Sequence, residues 1–400
     1  MLFHEYAITP HVFSEKYCGN DISIQKDLIY FLKGLRKSGM IGNINKEQWQ
    51  VEVKKYLAGL PLSVRDKLSQ LLQELSKQNR IVLHESIYRK NLSDNEIEWV
   101  EIMINENQIE PYSAIISTGQ VSKLEQYNIT LDKLLDDPIW DNIKYSFVNN
   151  QTKLNLKKYL STFLMYAKKL IISDPYFTYN NKNNEDEESL MLYSELYAKR
   201  RGSRLKNRKI IIHTSYNTKD KFTDINSDVY KIKWIRIFKK IHEVYGHIVT
   251  LYVWEDENKP KIVHDRYMIT DQGGIHSGRG FSLNDSAEST FSLLENDDKR
   301  KCLNKFESNY SVGFTLKFSL SKDDYISENV DNIGTVNYLL YNNERGKSGF
   351  ILSYSGEKLY FQMPSSFYLC SLIKVGVIVE FEVFENQKGR TAKVMKIVSE

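Results

Sequence analysis

The chain has 400 residues, of which 41% are hydrophobic and 26% charged, and its formal net charge is +4. That length exceeds one ordinary domain and the composition is globular, which excludes a disordered or low-complexity chain. So small a net charge leaves any nucleic-acid reading to local basic clusters. The three cysteines, Cys18, Cys302 and Cys370, lie far apart and show no metal-ligand spacing. No apolar run approaches the roughly 18 residues of a membrane span, and the opening MLFHEYAITP has no signal-peptide pattern. A reducing cytoplasmic setting is expected, with no metal and no cofactor.

Residues 1–110 read as a mainly helical region. Ile24, Leu28, Phe31, Leu32 and Leu35 recur at helical spacing, with Gly39 as a stop. Ser63 is placed as the N-cap of a second helix, whose stripe is Val64, Leu68, Leu71, Leu72 and Leu75. Such helices predict plain core packing, or a surface for a second copy or a protein partner.

Residues 111–320 read as an α/β unit with its core at 153–308. A connecting segment with one short helix around Leu131–Asn142 comes first. Leu156, Tyr159, Leu160, Phe163 and Ala167 then give an apolar helical face, and Leu170–Ser173 a buried strand running into Asp174-Pro175-Tyr176. A polar loop, Asn180–Glu188, leads to a helix ending near Lys199. Lys209–Thr214, Thr250–Trp254 and Ile262–Thr270 are predicted strands, with a helix through Ile232, Ile235, Phe238, Ile241 and Tyr245. Strands alternating with helices argue for a layered domain. Ser321–Asp331 is taken as a linker.

Residues 332–400 hold five strand-like runs split by turn residues, which suits a five-stranded barrel. Gly334-Thr335-Val336, the aromatic Tyr338, Lys347-Ser348-Gly349-Phe350-Ile351 and Leu359-Tyr360-Phe361-Gln362-Met363 follow one another, and Gly376–Phe381, Lys388-Gly389 and Ala392-Lys393-Val394 close the run. This order resembles the cold-shock domain family. The resemblance implies an OB barrel that binds single-stranded RNA or DNA by stacking bases on Tyr338, Phe350 and Tyr360, with Lys347 and Lys358 on phosphates. The chain departs from the family at Asn337, Ser348, Gln362 and Met363, so its stacking surface is the thinner of the two.

His264, Arg266 and Asp271 follow a histidine, basic, acid spacing that resembles the phospholipase D superfamily, with Arg in place of the usual Lys. The chemistry needs these types: a histidine nucleophile for phosphorus, a cation for the developing charge and an acid to orient the histidine. On a strand, His264 and Arg266 would share one face. Asp174-Pro175-Tyr176, His264-Asp265-Arg266, Asp271-Gln272-Gly273-Gly274 and Gly278-Arg279-Gly280-Phe281-Ser282 together resemble the phospholipase D-like C-terminal domain of MIT proteins. That family is regarded as non-catalytic. The resemblance thus implies a multidomain α+β chain: a helical N-terminal region, a phospholipase D-like α/β domain and a C-terminal OB/cold-shock β-barrel.

Arg279 and the basic run containing Arg200, Arg201 and Arg204 are further candidate phosphate contacts. Three functions follow. One is a nucleic-acid-binding protein whose middle domain grips or cleaves phosphodiester backbone without metal, a combination that looks like bacterial phage-defence proteins. Another is a non-catalytic adaptor of a nucleic-acid complex, and the third a phospholipid-headgroup binder. A single motif predicts a homodimer if the middle domain is catalytic.

Overall fold

The computed structural model describes residues 2–84, 87–89, 92, 94–119, 128–136, 145–148, 150–177, 185–200, 203–204, 207–216, 228–255, 263–284, 286, 288–307, 316–326, 332–353, 357–386 and 389–399.

The first unit runs β1 (His4–Ile8), α1 (Ile22–Ser38), β2 (Gly39–Asn43), α2 (Gln48–Ala58), α3 (Leu62–Lys77), β3 (Ile81–Leu83), α4 (Glu96–Ile109) and β4 (Ala114–Ile116). Its strands form a parallel sheet in the order β3-β2-β1-β4. The region is therefore α/β: helices make up most of it, as expected, but a parallel sheet that the periodicity did not indicate runs through it. The helical stripes stand where the periodicity puts them: Leu28, Phe31, Leu32 and Leu35 of α1 share a core with Leu68, Leu71, Leu72 and Leu75 of α3. The strands were hidden because parallel strands buried on both faces show no alternation, and every residue of β1 and β2 is buried. Gly39 both closes α1 and opens β2. Asp21 caps α1, its Oδ1 accepting the N–H groups of Ser23 at 2.8 Å and Ile24 at 3.1 Å. Pro61, and not Ser63, stands at the cap of α3.

α5 (Leu131–Leu135) packs against the core of the first unit. The second unit contains β5 (Tyr145–Val148), α6 (Lys153–Met165), β6 (Lys169–Ser173), α7 (Glu185–Ala198), the two-residue strands β7 (Lys199–Arg200) and β8 (Ser203–Arg204), and β9 (Lys209–Tyr216). It continues with α8 (Asp228–Tyr245), β10 (Ile248–Glu255), β11 (Arg266–Thr270), β12 (Gly274–Ser277), β13 (Ser289–Leu293), α9 (Asn296–Glu307), β14 (Leu316–Leu320) and α10 (Lys322–Ile326). Eight strands form one sheet in the order β14-β10-β9-β6-β11-β12-β13-β5. β6, β9 and β10 run parallel, and β11 runs antiparallel to β6. Of the segment expected as a linker, 322–326 is helical and 327–331 lies outside the described residues, as do 137–142 of the helix expected near Leu131 and 180–184 of the expected polar loop.

The third unit is a closed barrel of β15 (Ile333–Asn343), β16 (Gly346–Ser353), β17 (Lys358–Pro364), β18 (Ile378–Asn386) and β19 (Gly389–Ser399). The order β15-β16-β17-β19-β18, with β17 and β19 parallel and the other pairs antiparallel, is OB-like. Val336, Ile351, Leu359, Phe361, Val379, Phe381 and Val394 fill its interior.

All three units share apolar contacts. Leu2, Phe3, Met40 and Val82 of the first unit and Ile378 of the barrel join the core of the second. The rings of Phe3 and Phe163 meet edge to face at 5.3 Å. Among the described residues no helix is long and apolar enough to cross a membrane.

Candidate functional site

Strand direction sorts the motif residues of the second unit. Tyr267 of β11 pairs with Ser173, and Thr270 with Leu170. The first residues of β11 therefore lie at the carboxyl edge of the parallel strands, and its last residue at the amino edge. Carboxyl edges are where open α/β sheets carry ligands.

At that edge three stretches distant in sequence converge on Asp174. Its Oδ1 accepts the Tyr176 N–H at 3.0 Å and its Oδ2 the Phe281 N–H at 3.1 Å. The Arg266 Nε stands 3.9 Å from Asp174 Oδ1, and Arg266 Nη1 donates to the Gly278 carbonyl at 3.0 Å. The guanidinium lies 4.7 Å from the centre of the Tyr176 ring, a cation–π distance. Asp174 is buried, and burial pushes its carboxyl up to about 6. The two N–H donors and Arg266 pull the other way, and burial outweighs them.

The glycine loop is held from within. Ser277 Oγ donates to the Gly280 carbonyl at 2.6 Å and accepts the Gly280 N–H at 2.9 Å. Gln151 Nε2 donates to the same carbonyl at 3.0 Å, and Ser289 Oγ accepts the Arg279 N–H at 3.2 Å. Gly280 has φ +99°. These bonds leave Arg279 exposed, next in the chain to the Gly278 carbonyl that Arg266 binds.

The other predicted residues disperse. His264 is not on the strand: it sits in the bend before β11, its side chain 74% exposed, with Nδ1 3.0 Å from Asp265 Oδ1. Asp271 stands just beyond the opposite end of β11. The whole strand, Arg266–Thr270, separates it from His264, a span of about 16 Å at 3.3 Å per residue. Asp271 therefore does not orient His264. Its Oδ1 accepts the Lys168 N–H at 2.7 Å and its carbonyl accepts Lys299 Nζ at 2.6 Å, while Gln272 Nε2 donates to the Asn79 carbonyl at 2.7 Å. The Asp271–Gly274 turn thus fastens the second unit to the first. The basic run lies at the amino edge too. Arg200 and Arg204 belong to the β7–β8 ribbon, Arg201 lies outside the described residues, and the stretch of β9 from Lys209 to Thr214, which is level with Arg266, puts about 16 Å between the start of β9 and that edge. Neither Asp271 nor the run joins the Arg266 edge.

In the barrel the predicted row assembles. Tyr338 pairs with Phe350, and Phe350 with Tyr360, across three neighbouring strands. Tyr338 is exposed, Phe350 and Tyr360 half-buried, and the last two rings lie 5.8 Å apart. Lys358 Nζ sits 4.6 Å from the Phe350 ring centre. Lys347 does not join them. It pairs with the buried Met363, and its Nζ donates to the carbonyls of Ile373 at 2.7 Å and Ser371 at 3.4 Å. That lysine closes one end of the barrel.

A buried cluster that no sequence spacing signals lies where the first two units meet. His84 Nε2 is 2.7 Å from Glu5 Oε1, and His84 Nδ1 is 2.7 Å from Glu106 Oε2. Tyr166 of the second unit donates to Glu5 Oε1 at 2.9 Å. Burial pushes the imidazole pKa down, but the two carboxylates more than reverse it, so His84 titrates above its ordinary value. Its parts are up to 161 residues apart in the chain, beyond the reach of any local motif.

No protein-family model matches the chain. No curated protein matches it either.

Proposed function

We propose that this chain binds single-stranded nucleic acid on the outer face of its C-terminal barrel, with Tyr338, Phe350 and Tyr360 as the stacking platform. The observation that carries the proposal is the row of three aromatic side chains, in register on β15, β16 and β17 of an OB-like barrel. Bases stack on such rings with little regard to sequence. The cold-shock resemblance of this segment points the same way. The test is fluorescence anisotropy with labelled single-stranded RNA and DNA in EDTA. Wild type is expected to bind and Phe350→Ala to bind about tenfold or more weakly, from the stacking value of one base. Equal binding by the two proteins would remove the barrel face from the function.

A second reading is phosphodiester cleavage at the Arg266 edge. It is favoured by the His264–Asp265 contact at 3.0 Å, which leaves Nε2 of an exposed histidine open two residues from Arg266. Cleavage in EDTA that disappears in His264→Ala supports it, and intact substrate after prolonged incubation with wild type excludes it.

A further inference from the structure

We infer that the first unit binds a small carboxylic acid with an apolar body, in the cavity between α2 and α3. The inference rests on neither the barrel face nor the Arg266 edge.

The cavity has a volume of about 270 Å³. Gln50, Val53, Lys54 and Leu57 of α2 line it from one side, and Ser69, Leu72, Gln73 and Ser76 of α3 from the other. Each set follows the i, i+3, i+4, i+7 spacing of a single helix face, so the two helices turn matched stripes towards each other. Leu68, Leu71 and Leu75 of α3 serve the core of the unit, and the short side chains of Ser69 and Ser76 do not fill the gap that remains. Ile81 of β3, the edge strand of the sheet, completes the lining.

The floor is apolar and the rim is polar. Val53, Leu57 and Leu72 are buried, and Ile81 is half-buried. Trp49 also lines the cavity, and its Nε1 donates to the Ile8 carbonyl, so the indole offers a ligand only apolar ring. On the rim, Gln50 Oε1 accepts from Asn43 Nδ2 at 3.2 Å, which leaves the Gln50 amide hydrogens as donors. Lys54 is exposed and makes no ion pair among the described residues. The acids next in sequence to the two stripes are held by other cations, Glu52 by Lys55 at 3.2 Å and Glu74 by Arg36 at 3.0 Å. No acidic residue lines the cavity. An uncommitted cation with amide and hydroxyl donors, set around an apolar floor, complements a carboxylate on an apolar body and disfavours a cation. The volume falls just below the roughly 300–1,000 Å³ of drug-sized sites, and a partner helix about 10 Å across does not fit it. The occupant is therefore a small molecule.

The experiment is calorimetric titration of the full chain with 2-naphthoate and with 2-naphthylmethylamine, which puts the opposite charge on the same ring system. The acid is expected to bind with a Kd of about 1 mM or tighter, from the ordinary affinity per atom of small ligands, and the amine more weakly. Lys54→Met, on the exposed rim, should keep its melting temperature and bind the acid about two- to fivefold more weakly, the scale of an exposed ion pair. Ser69→Trp, at a half-exposed position, should fill the gap and abolish binding while its circular dichroism remains that of the wild type. No binding of the acid at concentrations well above that Kd overturns the inference. So does equal affinity for acid and amine, or full affinity in a folded Ser69→Trp. Should Ser69→Trp not fold, Lys54→Met decides, and unchanged affinity for the acid there overturns the inference as well.

Discussion

The Nε of Arg266 stands 3.9 Å from Oδ1 of Asp174, and the acid is the more buried of the two. The distance is too long for a hydrogen bond, so the guanidinium only partly offsets the cost of burying the carboxylate.

That cost has a sign in pH. The folded pKa of Asp174 is raised from 3.8 to about 6, so between those values the folded chain holds a proton that the unfolded chain has lost. Stability from this group falls as pH rises from about 4 to 6 and stays lower above, by up to about 3 kcal/mol. Buried His213 and His247, both lowered to about 4, act oppositely, weakening the fold as pH falls below 6.5. A comparison with Asp174→Asn isolates the acid. The variant's stability relative to wild type should improve by up to about 3 kcal/mol between pH 4 and pH 7 in urea melts. A constant difference would show that Asp174 is ionised throughout.

The two glycines of Gly278-Arg279-Gly280 should respond differently to alanine. At Gly280, with φ +99°, a Cβ would lie 2.4 Å from Asp174 Oδ2. At Gly278 the nearest atoms would be 3.8 Å away. Gly280→Ala should cost about 1–3 kcal/mol in urea unfolding, through strain at a left-handed position, and Gly278→Ala less than about 1. Equal losses would contradict this division.

Much of the architecture is legible in the residues. The stripes of α1 and α3 and the five runs of the barrel follow from periodicity and turns. The strands of the first unit are not: β3 and β4 have three residues each, and β1 begins with His4 and Glu5, polar residues in a buried place. The candidate site was legible in part. Residue types at fixed spacing brought Asp174, Arg266 and Gly280 to attention, but the strand expected over Ile262–Thr270 starts only at Arg266, which leaves His264 outside it and Asp271 past its far end. Nor does it distinguish Lys347, turned to the end of the barrel, from Lys358 on its face.

The junction of the first two units should depend on His84. Both ring nitrogens face carboxylates, so the protonated ring, with two N–H donors, suits the site. Its pKa is raised, so its contribution is fully present below the unfolded value of 6.5 and is lost as pH rises through the folded one. His84→Gln leaves the buried carboxylates without their cation and should cost about 3–5 kcal/mol. Tyr166→Phe removes one donor to Glu5 and should cost about 1–3 kcal/mol. Chemical denaturation of both variants at pH 6 and pH 9 checks this, and a His84→Gln penalty that grows with pH would contradict the assignment.

Lys347 and Lys358 provide the last contrast. Lys347→Met removes a charged donor from two carbonyls at the barrel end and should lower stability by about 1–3 kcal/mol while leaving strand affinity unchanged. Lys358→Met should do the reverse, since its side chain is exposed and its ammonium lies over the Phe350 ring. It should weaken binding by a few fold, the loss of about one phosphate contact, and lower stability by no more than an exposed cation–π contact is worth, about 0.5–1 kcal/mol. Thermal melts and anisotropy on the same preparations separate the two effects. A loss of affinity in Lys347→Met with unchanged stability would return that lysine to the phosphate role that its sequence position implied.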